Sequence, residues 1–183
     1  MEEGDGREEE KVQMVVQEEV VPHISMNALT GMNTFQTMRI NERVGSQRIH
    51  ILVDSGSTHN FLDVTTAKKL RCEVVKIPAF MVAITNGEQL QCQSMCRGFK
   101  WTLLGEEYIT DAFLVPLGSC DMILGIQWLS TLGSILWNFE DLTMEFQYKG
   151  KRHVLRGSKK VEVGWLGKNK QKAIHHSVQM FAL

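Results

Sequence analysis

Apolar and polar residues alternate with a period of two along the middle of the chain, which is the pattern of half-buried β-strands. Three pairs of such segments are separated by turn residues, at Gly45-Ser46, Asn86-Gly87 and Glu140-Asp141. Asn-Gly is a strong two-residue hairpin signal, because both residues tolerate a positive φ. The pattern therefore predicts three hairpins, whose alternating apolar positions include Met38, Ile40, Ile49, Ile51, Val53, Phe80, Val82, Ile84, Leu90, Ile135, Trp137, Phe139, Leu142, Met144 and Phe146.

Further strands are predicted over residues 98–110 and 111–117, and a short buried strand at Met122–Leu124 that Gly125 ends. One helix is predicted after Asp63, a plausible N-cap, and one or two helical turns over residues 126–132. Six to eight strands, two short helices and no βαβ rhythm predict a small β-barrel or sandwich.

Composition divides the chain into three parts. Residues 1–34 are predicted to be an acidic, disordered linker, residues 35–156 the folded domain, and residues 157–183 a basic, flexible tail. Residues 1–20 hold eight acidic and two basic residues, so the net charge of −1 conceals a charge of about +5 over residues 21–183. Nine lysines or arginines against one acid between Lys149 and Lys172 could attract nucleic acid, although a solvated linker is the simpler interpretation.

Neither composition nor spacing indicates a metal site, a cofactor or a membrane span. Cys92 and Cys96 are the one close pair of cysteines, and no histidine pattern completes a zinc site. Apolar stretches are far shorter than the roughly 18–20 residues of a transmembrane helix. The start of the chain lacks the features of a signal peptide, and the four cysteines are interpreted as reduced thiols, which predicts a cytoplasmic protein.

The candidate chemistry lies in Asp54-Ser55-Gly56-Ser57, which follows the apolar strand pattern and occurs once. A carboxylate at a strand end, turned by glycine, can face a cleft. An ordinary turn is the simplest interpretation, since aspartate, serine and glycine are common turn residues.

Three chemistries compete for the segment from Val53 to Thr58. The phosphate-binding turn of the actin and sugar-kinase fold needs two large α/β domains, and a haloacid-dehalogenase-like nucleophile needs an acid where Gly56 stands. An aspartic protease needs two facing carboxylates that share a proton, one as general acid and the other as the base that activates water. In that case Ser55 could lock the turn by hydrogen bonding, and Gly56 lets backbone N–H groups approach the carboxylate.

Three ordered segments resemble the retropepsin-like proteases of plant Ty3/gypsy-type LTR retrotransposon polyproteins, over roughly residues 24–156. The first is similar to the active-site segment of that family, the second to its flap and the third to its late hydrophobic-hydrophobic-Gly segment. They read Ile51-Leu52-Val53-Asp54-Ser55-Gly56-Ser57-Thr58-His59-Asn60-Phe61-Leu62, Val82-Ala83-Ile84-Thr85-Asn86-Gly87-Glu88-Gln89-Leu90 and Cys120-Asp121-Met122-Ile123-Leu124-Gly125-Ile126-Gln127-Trp128-Leu129.

The resemblance implies a mainly all-β, closed acid-protease barrel with one or two short helices, working as a symmetric dimer. It implies Asp54 as the catalytic acid, supported by the turn Ser55, Gly56, Ser57 and Thr58. It also implies a flap that covers an extended peptide and a scaffold beneath the site. The flap residues would be Ala83, Ile84, Thr85, Asn86 and Gly87, and the scaffold residues Ile123, Leu124 and Gly125.

No second Asp-Ser/Thr-Gly occurs, so activity would require a homodimer in which each chain provides one Asp54. The expected function is that of an aspartic endopeptidase, ancestrally for retrotransposon polyprotein processing. The alternative is a domesticated or inactive retropepsin-like domain that serves as a dimerisation or binding module.

Overall fold

The computed structural model describes residues 21–30 and 37–158. Predictions for the acidic residues 1–20 and for the tail after residue 158 lie outside the described residues. Eleven strands and three short α-helices make up the described part, in the following order. They are β1 (His23–Ile24), α1 (Met26–Thr30), β2 (Thr37–Val44), β3 (Gln47–Asp54), β4 (Phe61–Asp63), α2 (Val64–Lys69), β5 (Val74–Ile84), β6 (Gln89–Leu103), β7 (Glu106–Val115), β8 (Met122–Leu124), α3 (Ile126–Leu129) with a 3₁₀ turn (Ser130–Leu132), β9 (Ile135–Asn138), β10 (Thr143–Tyr148) and β11 (Lys151–Arg156).

The predicted all-β fold is confirmed, with eight strands in one sheet and three in another. The large sheet has the order β1-β5-β6-β7-β4-β8-β3-β2, and the small one β11-β10-β9. Inside the large sheet the three-residue strand β8 runs parallel to β3 and antiparallel to β4. This arrangement holds the end of β3 next to the start of α3, which positions the candidate site.

The three predicted hairpins form, because their turns contain residues suited to tight reversal. Gly45 adopts φ +59° between β2 and β3, and Gly87 adopts φ +89° between β5 and β6. Asp63 caps α2 as predicted, its carboxylate accepting from the N–H groups of Thr65 and Thr66. The hairpins and the cap are local features, so the sequence alone could specify them.

One predicted strand is wrong, and one strand of the structure was not predicted. Residues 98–110 do not form one strand; instead β6 ends at Leu103 and the chain reverses through Leu104 and Gly105, both at positive φ. The structure also contains β11, which the sequence pattern did not predict and which pairs with β10 along six residues. A second reversal, at Lys149 and Gly150, makes that pairing possible.

Residues 21–30, expected to belong to a disordered linker, contain β1 and α1. Ile24 and Ala28 are fully buried, because they complete a second, smaller core beside the main one. We call residues 22–30 the strap. The buried members of the second core are Ile24, Ala28, Leu52, Phe61, Val82, Cys92, Val115, Leu117, Cys120 and Ile123.

Candidate active site

Asp54 is the last residue of β3 and is fully buried. Its Oδ2 accepts a hydrogen bond from the Ser57 hydroxyl (2.6 Å), and its Oδ1 accepts from the Gly56 N–H (3.1 Å). The Ser57 N–H donates back to the Asp54 carbonyl (3.2 Å), which closes the turn. The carboxylate is therefore held on both oxygens by the residues that follow it.

The four residues predicted to support the turn do not share one role. Ser55, expected to lock the turn, is exposed, and the hydroxyl that holds the carboxylate belongs to Ser57. Gly56 provides the N–H group, and Thr58 faces the strap instead of the carboxylate.

The Asp54 turn is hydrogen-bonded to the residues that follow β8. The N–H groups of Ile126 and Gln127, at the start of α3, donate to the carbonyls of Ser57 (2.9 Å) and Thr58 (3.0 Å). Gly125 lies so close that a Cβ there would be 2.6 Å from the Ser57 carbonyl oxygen and closer still to that of His59. Only glycine fits at this position without a shift of the backbone.

Ile123 and Leu124, the other two predicted scaffold residues, are fully buried in β8. Leu124 pairs with Val53 in β3, one residue before the carboxylate. Asn60, which the sequence did not single out, joins the same scaffold. Its side chain accepts from the Gly125 N–H (3.2 Å) and donates to the Asp111 carbonyl (3.3 Å).

The predicted flap residues lie at the tip of the β5–β6 hairpin. The reversal is held by the Gly87 N–H, which donates to the Ile84 carbonyl (2.9 Å), and by the Ile84 N–H, which donates to that of Glu88 (2.8 Å). Thr85, Asn86 and Gly87 are exposed, whereas Ile84 is buried. Ala83, at the end of β5, pairs with His23 of the strap.

The strap lies between this hairpin and the Asp54 turn. On one side, β1 runs parallel to β5, with His23 opposite Ala83 and Ile24 opposite Ile84. On the other side, the Ser25 hydroxyl donates to Asp54 Oδ2 (2.7 Å). The structure therefore brings together the predicted carboxylate, the predicted hairpin and a segment that sequence reasoning assigned to a linker.

A signal for the strap was present in the sequence. Ser25 occupies the N-cap position of α1, and its Oγ accepts from the Ala28 N–H (3.1 Å). Serine three residues before a buried position is a common helix start. The signal is weak because α1 has only five residues.

His59 follows the turn, and its ring lies 5.4 Å from that of Phe113. Partial burial lowers the pKa of His59, since desolvation disfavours the charged imidazolium. Its Nδ1 lies 2.8 Å from Thr58 Oγ1, so the ring supports the hydroxyl that contacts the strap.

Within residues 21–30 and 37–158 no group of three or more histidine, cysteine or acidic side chains could hold a metal ion. In the same ranges no helix is long and apolar enough to cross a membrane. All four cysteines are free thiols, and burial raises the pKa of Cys96 and of Cys120 to about 12.

A mostly β domain, with a hydrogen-bonded aspartate at a strand end beneath a hairpin, defines a retropepsin-like architecture. The family model for retroviral aspartyl protease matches residues 16–142, which is more than half of the chain. The chain therefore belongs to the retroviral aspartyl protease family. No curated protein matches the chain.

A solved structure shows the same fold. The retroviral protease-like domain of Ddi1 from Leishmania major matches with a TM-score of 0.50 and 11% identity, covering 68% of this chain and 98% of that one. A retropepsin-like aspartic protease from Rickettsia conorii matches with a TM-score of 0.44 and 19% identity, covering 67% of this chain and 89% of that one.

Proposed function

We propose that the protein is an aspartic endopeptidase that works as a homodimer, each chain providing one Asp54. The observation that carries the proposal is the environment of Asp54 in a chain of this family: a strand-end carboxylate, held by Ser57 and Gly56, beneath a hairpin that can cover a peptide. A retrotransposon polyprotein of the plant Ty3/gypsy type is the ancestral substrate we propose, from the three resembling segments.

The chemistry requires two carboxylates about 3 Å apart, which cannot both ionise and therefore share one proton. The ionised carboxylate takes a proton from a water molecule, whose oxygen attacks the peptide carbonyl. The protonated carboxyl group donates its proton to the carbonyl oxygen. Collapse of the resulting tetrahedral diol breaks the C–N bond: the amine leaves with a proton from the pair, and one hydroxyl of the diol returns its proton to the pair as it becomes the carbonyl of the new carboxyl group. The pair titrates as a unit.

The need for a second chain is supported by the roles of the other described aspartates. Asp63 caps α2, and Asp111 accepts from the Gly98 N–H (2.8 Å). Asp121 accepts from the His50 N–H (2.8 Å), and Asp141 accepts from an Asn138 side chain (3.1 Å). Each has a structural partner away from Asp54, so a second copy of the chain is the natural source of the second carboxylate.

A specific observation favours the alternative, a domesticated or inactive domain that serves as a dimerisation or binding module. Asp54 has no exposed surface, and Ser25 of the strap bonds to its carboxylate. A permanently covered carboxylate cannot activate water. This alternative keeps the fold and the hairpin and loses only the chemistry.

The deciding experiment incubates the purified chain with a peptide library between mildly acidic and neutral pH, beside the Asp54→Asn variant. Cleavage by the wild type and its loss in the variant are expected. Molar mass in solution is measured on the same samples. Cleavage by both proteins, or by neither although both are dimers, would refute the endopeptidase proposal, and the second result would support a binding module.

A further inference from the structure

The strap is hydrogen-bonded on both edges, as a strand inserted between two others would be. Toward the hairpin, the Ala83 N–H donates to the Pro22 carbonyl (3.0 Å) and the Thr85 N–H donates to that of Ile24 (3.3 Å). Both are main-chain bonds, so they do not depend on which side chains the inserted segment carries.

Toward the Asp54 turn, the polar groups of His23 and Ser25 are paired. The Thr58 N–H donates to the His23 carbonyl (3.0 Å), and the His23 N–H donates to Thr58 Oγ1 (2.9 Å). The Ser25 N–H donates to the Ser57 hydroxyl (3.1 Å), which itself donates to Asp54. Successive strap residues therefore bond alternately to the hairpin and to the turn, as an extended ligand in a groove would.

Side chains of the strap fill the groove as well. Ile24 and Ala28 are fully buried in the second core, beside Leu52, Val82 and Ile123. Farther along, the Ser119 hydroxyl donates to the Ala28 carbonyl (2.7 Å). The branched side chain of Ile24 therefore belongs to an apolar core, one residue before the serine whose hydroxyl bonds to the carboxylate.

The Ser25 carbonyl is hydrogen-bonded within the helix that follows it. It accepts from the N–H groups of Ala28 (3.1 Å) and Leu29 (3.4 Å) and so belongs to the first turn of α1. It is the Ser25 hydroxyl, and not this carbonyl, that bonds to the carboxylate.

We infer that the groove between β5 and the Ser57–Thr58 turn binds an extended peptide, and that residues 22–30 are its intramolecular ligand, which a peptide in trans must displace. The ligand class is an extended chain with a branched aliphatic residue followed by a small hydroxyl residue, as in Ile24-Ser25. The inference rests on the proposed function only in that displacement exposes Asp54 for catalysis; binding itself needs no catalysis.

Competition by a tethered segment is strong because a short tether gives an effective concentration in the millimolar range. Only six residues separate Thr30 from Thr37 in the sequence. If the groove is empty in a tenth of the molecules or fewer, the apparent affinity for an added peptide falls by about tenfold or more.

The test uses the full chain and a fluorescent synthetic peptide with the sequence of residues 21–30. The strap is displaced by Ile24→Glu, which places a charge in an apolar pocket. Val21→Glu is the matched control, because it adds the same charge three residues away from Ile24, at a side chain that is 65% exposed. A second peptide, which has glutamate at the position of Ile24, tests whether binding requires the apolar side chain.

We expect the peptide to bind the Ile24→Glu protein about tenfold or more tightly than the wild type or the Val21→Glu protein, and the control peptide to bind none of them. Hydrogen exchange should accelerate at Thr58, Ala83 and Thr85 in Ile24→Glu while β9–β11 stay protected, which shows that the variant is folded. If Ile24→Glu does not fold, Ser25→Ala removes only the hydroxyl bonds, and a smaller gain in the same direction is expected.

Equal affinity of the peptide for all three folded proteins, or no binding to a folded variant with a released strap, would overturn the inference. Peptide-library cleavage is measured on the same proteins. Binding without cleavage by any of them would refute the endopeptidase proposal and leave the intramolecular ligand in place. Cleavage by the wild type as fast as by Ile24→Glu would refute the ligand and leave the endopeptidase.

Discussion

Replacing Gly125 by alanine tests whether the scaffold beneath the Asp54 turn is held by close backbone contact. The added Cβ would lie 2.6 Å from the Ser57 carbonyl oxygen and closer to that of His59. Both are backbone atoms in a turn held by hydrogen bonds, so they cannot move aside as a flexible side chain could. Overpacking of this kind costs about 1–3 kcal/mol.

The shift that relieves the clash also stretches hydrogen bonds across the same contact. The N–H groups of Ile126 and Gln127 donate to the carbonyls of Ser57 and Thr58 at 2.9 and 3.0 Å. Each such bond contributes about 0.5–1.5 kcal/mol net. The free energy of unfolding should therefore fall by about 3 kcal/mol, which lowers Tm by roughly 10 °C for a chain of this size.

Urea denaturation measures the loss, and Gly105→Ala provides the control. Gly105 lies in the β6–β7 turn at φ +82° with no atom within 4 Å of a Cβ, so alanine there meets only the backbone cost of about 1–2 kcal/mol. Amide exchange at Ile126 and Gln127 should accelerate in Gly125→Ala alone. A loss in Gly125→Ala no larger than in Gly105→Ala, with unchanged m values, would show that the close contact is not rigid.

Substitutions at three further positions test single hydrogen bonds by urea denaturation. Asp63→Ala removes the cap of α2 and should cost about 1–2 kcal/mol. Burial alone would raise the pKa of Asp63, but hydrogen bonds from Thr65, Leu117 and Thr66 hold this pKa below the ordinary 3.8. The stabilisation is therefore present above pH 3.8 and is lost as the pH falls through the folded-state pKa, a loss that the alanine variant should not show. Asn60→Ala leaves the buried Gly125 N–H without its acceptor and should cost about 1–3 kcal/mol; an unchanged midpoint would mean that the amide finds another partner. Thr110→Val removes the acceptor of the buried Trp101 Nε1–H (2.8 Å) and should cost a similar 1–3 kcal/mol, whereas Thr110→Ser keeps the acceptor and should cost less.

The features that the sequence predicted correctly are those encoded within a few residues. The Asn86-Gly87 turn and the Asp63 cap each depend on local backbone preferences, so their structural role can be recognised without knowing the fold. The retropepsin-like fold followed from three such segments in the right order. The reversal at Leu104 was missed because leucine at φ 50° is an unusual turn residue, which the pairing of β6 with β7 enforces.

The strap was missed for a different reason. Its two strand residues and five helical residues are too few to establish a period. Ile24 is buried because it joins an apolar cluster with Leu52, Val82 and Ile123, which are 28 to 99 positions farther along the chain. Ser25 likewise becomes part of the candidate site only because the tertiary fold brings Asp54 to it.

The position of β8 between β3 and β4 has a consequence for the order in which the protein can be made and folded. Bonds that complete the Asp54 turn and its support join residues 65 to 71 positions apart, from Asn60 to Gly125 and Gln127 and from His50 to Asp121. Contacts of such long sequence separation form late and slowly. During synthesis these bonds therefore cannot form until the chain has been made as far as about residue 127, and until then the turn that carries Asp54 stays without its support.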